Sequence, residues 1–272
     1  MQKGYSISSM IYPSVTALIT PIASMIYVHY GVAMICLGEG ILLLMASYAE
    51  HHIAFQEKEL KKMSFSFSGY REEMMEGFHY LKKEKGIRSI YAYMSVTNAN
   101  AEAVNMMSMA LFQSSSVLTT TMYAFLTTAE TAGRMLGSIF HYFVRIPDHV
   151  RYKIAVSVYA SYEAMDMILL FIAYPLMILN RFICGFLGVN SMNIREASTQ
   201  NYIPSHMRAR VNGLFNVLVS LLCMCSRFLA GAMGEFIEYP YVAACFSMIG
   251  LLAVGLVIVR NKKHVQPIYN QH

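Results

Sequence analysis

Charge divides the chain into long segments that hold almost none of it, and this division limits the fold more than any motif does. Eight stretches, covering about 9–29, 31–49, 88–111, 119–143, 154–173, 175–195, 210–233 and 240–259, are dominated by apolar side chains. A helix of about 20 such residues matches the roughly 30 Å hydrocarbon core of a bilayer. In lipid a helix also pairs all of its own backbone groups, which an open strand cannot. Charged residues make up 14% of the 272, against about 25% in soluble domains. The expectation is an all-α polytopic membrane protein with about eight transmembrane helices and the lipid bilayer as its first partner. The segments that meet at His29–Tyr30 and at Tyr174–Pro175 have almost no connection between them, so each pair should fold as a helical hairpin.

The cations set the orientation. Of the 21 Lys and Arg, eighteen fall in connections that lie on one side if both termini are cytoplasmic. The remaining three, Arg134, Arg181 and Arg227, lie inside expected spans, and the outer loops carry Glu235 and Glu238 instead. Retention of Lys and Arg on the cytoplasmic side is the positive-inside rule. It implies a multi-pass plasma-membrane protein, and it accounts for the net charge of +5 without a nucleic-acid partner. In the long connection, REEMMEGFHYLKKEKGI places acids early and bases late, which suits a helix dipole. Met74, Met75, Phe78 and Leu81 supply its apolar side and Gly86 a stop, so an amphipathic helix is expected against the cytoplasmic face.

Several chemistries are disfavoured. The N-terminal MQKGYSISSMIYPSV lacks the small-residue cleavage site of a signal peptide. The five cysteines, Cys36, Cys184, Cys223, Cys225 and Cys245, all sit in apolar runs and read as packing residues. No G-x-x-x-x-G-K-[ST] marks an ATP-driven pump, and His51–His52 lacks the helical i,i+4 spacing of a metalloprotease pair. Neither an enzyme nor a metal or other cofactor is expected.

The stretches EGFHYLKKEKGI, QNYIPSHMRARVNGLFN and SRFLAGAMGEFI together resemble the major facilitator superfamily, in its branch of macrolide and siderophore exporters. The resemblance implies that Gln200, Pro204, Arg208, Arg210 and Gly213 (with Val211) form the loop between the tenth and eleventh helices. It makes residues 1–49 the last two helices of an N-terminal half and 50–87 the cytoplasmic linker. Residues 88–260 become a complete C-terminal six-helix bundle and 261–272 a cytoplasmic tail. On this matching the first four helices are absent, so a missing N-terminal half or self-association is expected among the partners. In GSIFHYFVRIPDHVRYK, Gly137 and Arg145 match the loop of the second half, but His141 stands where an acid belongs. The implied function is proton-coupled efflux of a small amphiphilic molecule such as a drug, macrolide or siderophore-like compound. The alternative is a truncated, non-transporting fragment or an accessory membrane subunit.

Polar residues within the spans supply the candidates for substrate or proton coupling, because a mid-bilayer charge costs roughly 2.5–3.5 kcal/mol on insertion scales. Ser95, Asn98, Glu102 and Asn105 recur at three- and four-residue steps, which places them on one helix face. The family counterpart of that helix lines the central cavity, making Glu102 the first candidate for a protonatable group or cation contact. Thr127, Glu130, Arg134, Ser138 and His141 form a second stripe, with Glu130 and Arg134 spaced to pair and Gly133–Gly137 spaced for close helix approach. Asn212, Asn216, Ser220, Cys223 and Arg227 form a third, and Arg227 could meet either Glu102 or Glu130. Arg208 and Arg210 suit contact with anionic headgroups. Glu163 and Asp166 fall where the family pattern has lipid, and no pattern places them.

Overall fold

In the computed structural model, residues 30–51, 67–144 and 146–271 are described, with single positions 15, 19 and 26 ahead of them. The described residues contain helices and no strands: α1 (Val32–His51), α2 (Phe67–Lys83), α3 (Lys85–Ser114), α4 (Thr120–Phe143), α5 (Asp148–Ile168), α6 (Tyr174–Tyr202), α7 (Ser205–Gly234), α8 (Tyr239–Ala253) and α9 (Lys262–Tyr269). A tight 3-10 turn (Leu169–Phe171) ends α5, and α8 widens into a π-helical segment (Val254–Val259). Prolines mark the starts: Pro175 and Pro240 lie in the first turns of α6 and α8, while Pro147 and Pro204 immediately precede α5 and α7. There the missing N–H costs no helical hydrogen bond.

Five helical segments are long and apolar enough to cross a membrane: α1, α5 with its 3-10 turn, α6, α7, and α8 with its π segment. That is fewer than the eight expected spans. The first expected span lies almost wholly outside the described residues, as does Arg145. α3 and α4, at 30 and 24 residues, would reach about 45 and 36 Å at 1.5 Å per residue, but their polar side chains keep them below the other five in hydropathy. The expected connection between the spans 175–195 and 210–233 is also corrected. α6 runs to Tyr202 and α7 begins at Ser205, so only Ile203 and Pro204 connect them.

Compact packing divides the chain near Tyr70: α1 belongs to a unit spanning Ser14–Tyr70, and the chain from Arg71 onward belongs to another. Within the latter, the most extensive pairings are α4 with α6, α3 with α7, α3 with α8, α5 with α8, and α5 with α6. Exchanging α3 with α6, α4 with α7 and α5 with α8 turns this set of pairings into itself. The starts of α3, α5 and α7 gather with the ends of α4, α6 and α8 in one buried cluster that includes Ile87, Ile146, Tyr152, Ile203, Val211 and Ile258. Successive helices therefore alternate in direction, and the two three-helix repeats run oppositely.

Glycine makes the α4–α6 contact. A Cβ on Gly133 would lie 2.0 Å from the Phe182 carbonyl oxygen, and one on Gly185 would lie 2.1 Å from that of Glu130. Only hydrogen at both positions lets the two backbones approach so closely.

Two apolar cores lie at opposite ends of this unit. One holds Ile90, Tyr93, Met94, Tyr159, Ile194, Val254 and Tyr269; the other holds Val104, Met107, Phe112, Leu126, Leu169, Val242 and Phe246. Between them in the sequence of each helix come Asn100 of α3, Glu163 and Asp166 of α5, and Asn180 and Arg181 of α6, all buried. A polar layer thus crosses the bundle at mid-height.

The end where the basic residues collect is covered by two short helices. α2 buries Gly77 and Leu81 and half-buries Met74 and Tyr80, whereas Met75 and Phe78 are exposed, so its packed face is rotated from the expected one. Gly86 is no helix stop. It lies in the first turn of α3, where a Cβ would sit 2.4 Å from the His264 carbonyl oxygen. The expected C-terminal tail folds as α9, with Val265, Ile268 and Tyr269 buried. Tyr159 and Tyr269 join their hydroxyls at 2.6 Å, and Arg151 donates to the Gln271 carbonyl at 2.9 Å.

Candidate functional site

The polar layer is organised around Arg181. Its guanidinium donates to Asp166 at 3.0 Å, with both side chains at 5% exposure or less, and it lies 3.8 Å from Glu130. Glu130 in turn accepts from Arg134 at 2.6 Å, one turn along α4. Four charges from three helices thus form one chain, Asp166–Arg181–Glu130–Arg134, which balances to zero. In a low-dielectric interior such pairing is what makes burial of Asp166 and Arg181 tolerable, while Arg134, at 49% exposure, carries the chain out to the cavity. The same chain locks α5, α6 and α4 together at the level where the two apolar cores part.

Glu163 stands one turn before Asp166 but outside that chain. It is 1% exposed, and Thr97 of α3 donates to its Oε1 at 2.5 Å. Gly250 of α8 packs on its carboxyl group: a Cβ there would lie 2.1 Å from Oε2 and 2.5 Å from the Asn100 amide nitrogen. Glycine therefore makes the space that this carboxyl and amide occupy.

A second polar feature lies on the surface of the bundle. Glu102 of α3 accepts from the Arg227 guanidinium of α7, from Nε at 2.9 Å and Nη2 at 2.5 Å, so the acid that Arg227 meets is Glu102. Their side chains are 36% and 61% exposed. Asn105 and Asn216 are exposed on the same two helices. Charges at such a position are tolerated because they pair with one another.

A cavity of about 540 Å³ opens between α3, α4, α5 and α6. Tyr93, Met94, Tyr159, Tyr162, Val158 and Met192 give it apolar and aromatic walls, and Thr97, Asn98, Arg134, Asn193, Arg195 and Glu196 give it polar ones. The lining residues convert a run of apolar wall into one with a few polar groups, the usual make-up of a small-molecule pocket. Of the residues expected from sequence, Asn98 and Arg134 line this cavity, while Glu102, Asn105, Glu130, Asn216 and Arg227 do not. Ser95, expected on the same face as Asn98, is buried and donates to the Tyr91 carbonyl at 2.8 Å.

The loop motif is a fastening. Gln200 donates to the Asn212 side chain at 3.2 Å, and Tyr91 donates to the same oxygen at 2.8 Å, which ties α6, α7 and α3 together. Pro204 precedes the first turn of α7 and its carbonyl accepts from Met207 at 2.9 Å. Arg208 turns back to the Ile203 carbonyl at 3.0 Å. Arg210 pairs with Glu76 and, at 3.2 Å, with Glu73 of α2, where Gly77 rests close to the Arg210 backbone. Both arginines thus make contacts within the protein while staying partly exposed. Gly213 has no neighbour within 4 Å of its Cβ position.

Sequence reasoning missed Thr97, Asn100, Gly250, Arg195 and Glu196, and left Glu163 and Asp166 without partners. A buried Thr or Gly in an apolar run carries no local signal; only the crossing of α3, α5 and α8 gives these residues a shared purpose. Scanned against protein-family models, curated proteins and solved structures, the chain matches none.

Proposed function

We propose that the chain is a secondary active transporter of the major facilitator type, exporting a small amphiphilic compound (a drug, macrolide or siderophore-like molecule) by proton antiport. It would lie in the plasma membrane with both termini cytoplasmic, and α3 to α8 would be the six spans of one half. The observation that carries this reading is the pair of oppositely directed three-helix repeats, because nested inverted repeats within a six-helix half are how such transporters build a site at the bilayer midplane. In this reading α3 and α4 span as well, their polar side chains directed to the mid-height layer, the cavity and the exposed face rather than to lipid. Asn98 and Arg134 offer hydrogen bonds and charge beside aromatic walls, which suits a ligand that is part apolar and part polar. Glu102, Asn105, Glu130, Asn216 and Arg227 would contribute where the α3–α7 face meets a second wall of the pathway.

Reconstitution tests this directly. Purified chain in proteoliposomes should accumulate ethidium or a radiolabelled macrolide when a proton gradient is imposed, and should stop when a protonophore collapses the gradient. No gradient-driven movement of either compound would contradict the proposal. The exposed Glu102–Arg227 pair also favours a second reading, an accessory membrane subunit whose α3–α7 face docks on another membrane protein. That reading expects the chain alone to move neither compound.

A further inference from the structure

We infer that Glu163 is a proton-binding site, a carboxyl enclosed by α3, α5 and α8 that exchanges its proton with the cavity through the Thr97 hydroxyl. The inference rests on the transport reading for its purpose, but the proton site itself can be measured without any substrate.

The geometry separates Glu163 from the other acids within helices α3 to α8, each of which has an arginine partner. Asp166, one turn away, is held by Arg181 at 3.0 Å, and Glu102 and Glu130 each face an arginine. Among the described residues, Glu163 has no Lys, Arg or His nitrogen within 4.0 Å. Burial of an ionised carboxylate without a countercharge is so costly that such groups exist as the neutral acid until water or a cation reaches them. The groups that face it are Tyr93, Thr97 and Asn100 of α3, Asp166 of its own helix and Gly250 of α8, which brings no side chain. None of them supplies positive charge.

The neighbours suit a carboxyl that changes state. Thr97 donates to Oε1 and also lines the cavity, so its hydroxyl can give its proton to the carboxylate as it takes one from a hydronium in the cavity, which is left as water. Release is the reverse: the carboxyl O–H breaks, Thr97 takes that proton and passes its own to water. Asn100 Nδ2 is buried beside Oε2, within reach of the Glu163 carboxyl group. An amide there serves either form, since its N–H can donate to the carboxylate and its carbonyl can accept from the acid. Gly250 leaves the room that both need.

Infrared difference spectroscopy on the purified chain in lipid nanodiscs, taken between acidic and alkaline buffer, tests the inference. The wild type should show the carbonyl stretch of a protonated, buried carboxyl that disappears as pH rises. Glu163→Gln should lose that band. Thr97→Val should move it to higher frequency, because the carbonyl loses its donor. Gly250→Ala should shift or abolish it, because the new Cβ displaces the end of the Glu163 side chain rather than any backbone. Melting of each variant by circular dichroism shows that it is folded. A wild-type spectrum with no titrating buried carboxyl, or an unchanged band in folded Glu163→Gln, overturns the inference. Ethidium transport in parallel separates the two readings: a titrating Glu163 with no ethidium movement leaves the proton site standing and removes the transport function.

Discussion

Removing one partner of the Arg181–Asp166 pair strands a buried charge, whereas removing both leaves only a packing change. We expect Arg181→Met to cost about 3–5 kcal/mol of stability, and Arg181→Met combined with Asp166→Leu to recover most of that loss, read from thermal or denaturant unfolding in detergent. Equal destabilisation in the single and double variants would show that the pair does not carry the layer. Glu102 should behave otherwise. Its partner is exposed, so Glu102→Gln should leave unfolding almost unchanged. As a substrate contact it should raise the KM for ethidium while the dependence on the proton gradient persists. Little of this contrast is visible in the sequence. Glu102 announces itself by a periodic polar stripe, but Glu163 and Asp166 are two acids three residues apart in one apolar run. Which of them meets an arginine depends on α6 crossing at Arg181, a contact 15 residues away that no spacing rule reaches.

Helix packing at single glycines is the decisive feature at the scale of the element. Gly133→Ala should lower the melting temperature, because its Cβ would press to 2.0 Å from the Phe182 carbonyl oxygen, and backbone cannot move aside cheaply. Gly213→Ala, with open space around it, should be neutral or slightly stabilising, since alanine favours helix by up to about 1 kcal/mol. The Gly133–Gly137 spacing was legible as a close-approach signal, though its partner, Gly185 on α6, was not. α2 and α9 show the same limit. The charge order of α2 foretold a helix, yet its buried face is set by Gly77 meeting Arg210. Arg210→Glu should repel Glu73 and Glu76 and speed hydrogen exchange across 71–83, by no more than about 1 kcal/mol since these pairs are partly exposed; reversing all three charges should restore protection. Tyr269→Phe should cost about 1 kcal/mol through its hydroxyl contact, whereas Tyr269→Ala should undock α9 and expose the C-terminus to protease.

For the whole molecule, two physical regularities carry the account: apolar length, which was readable from the sequence, and the exchange of two three-helix repeats, which was not. Charge-poor runs identify α1 and α5 to α8 directly, because lipid compatibility is written residue by residue. α3 and α4 are harder to read, since Asn98, Glu102, Glu130 and Arg134 lower their hydropathy while serving the cavity wall, the ion-pair chain and the exposed α3–α7 face. The clustering of Lys and Arg foretold that particular helix ends belong together. The structure bears this out at one end of the bundle, where Tyr202 donates to Glu84 at 2.7 Å, Arg210 meets α2 and α9 covers Gly86. The central claim is that this end faces the cytoplasm and the Glu235–Glu238 end faces out. In a variant lacking the five native cysteines, single cysteines at Lys83, Lys263, Val117 and Glu235 can be treated with a membrane-impermeant maleimide on intact cells. The account predicts labelling of Val117→Cys and Glu235→Cys at once, and of Lys83→Cys and Lys263→Cys only after the membrane is opened. Labelling of all four in intact cells, or the reverse order, would contradict it.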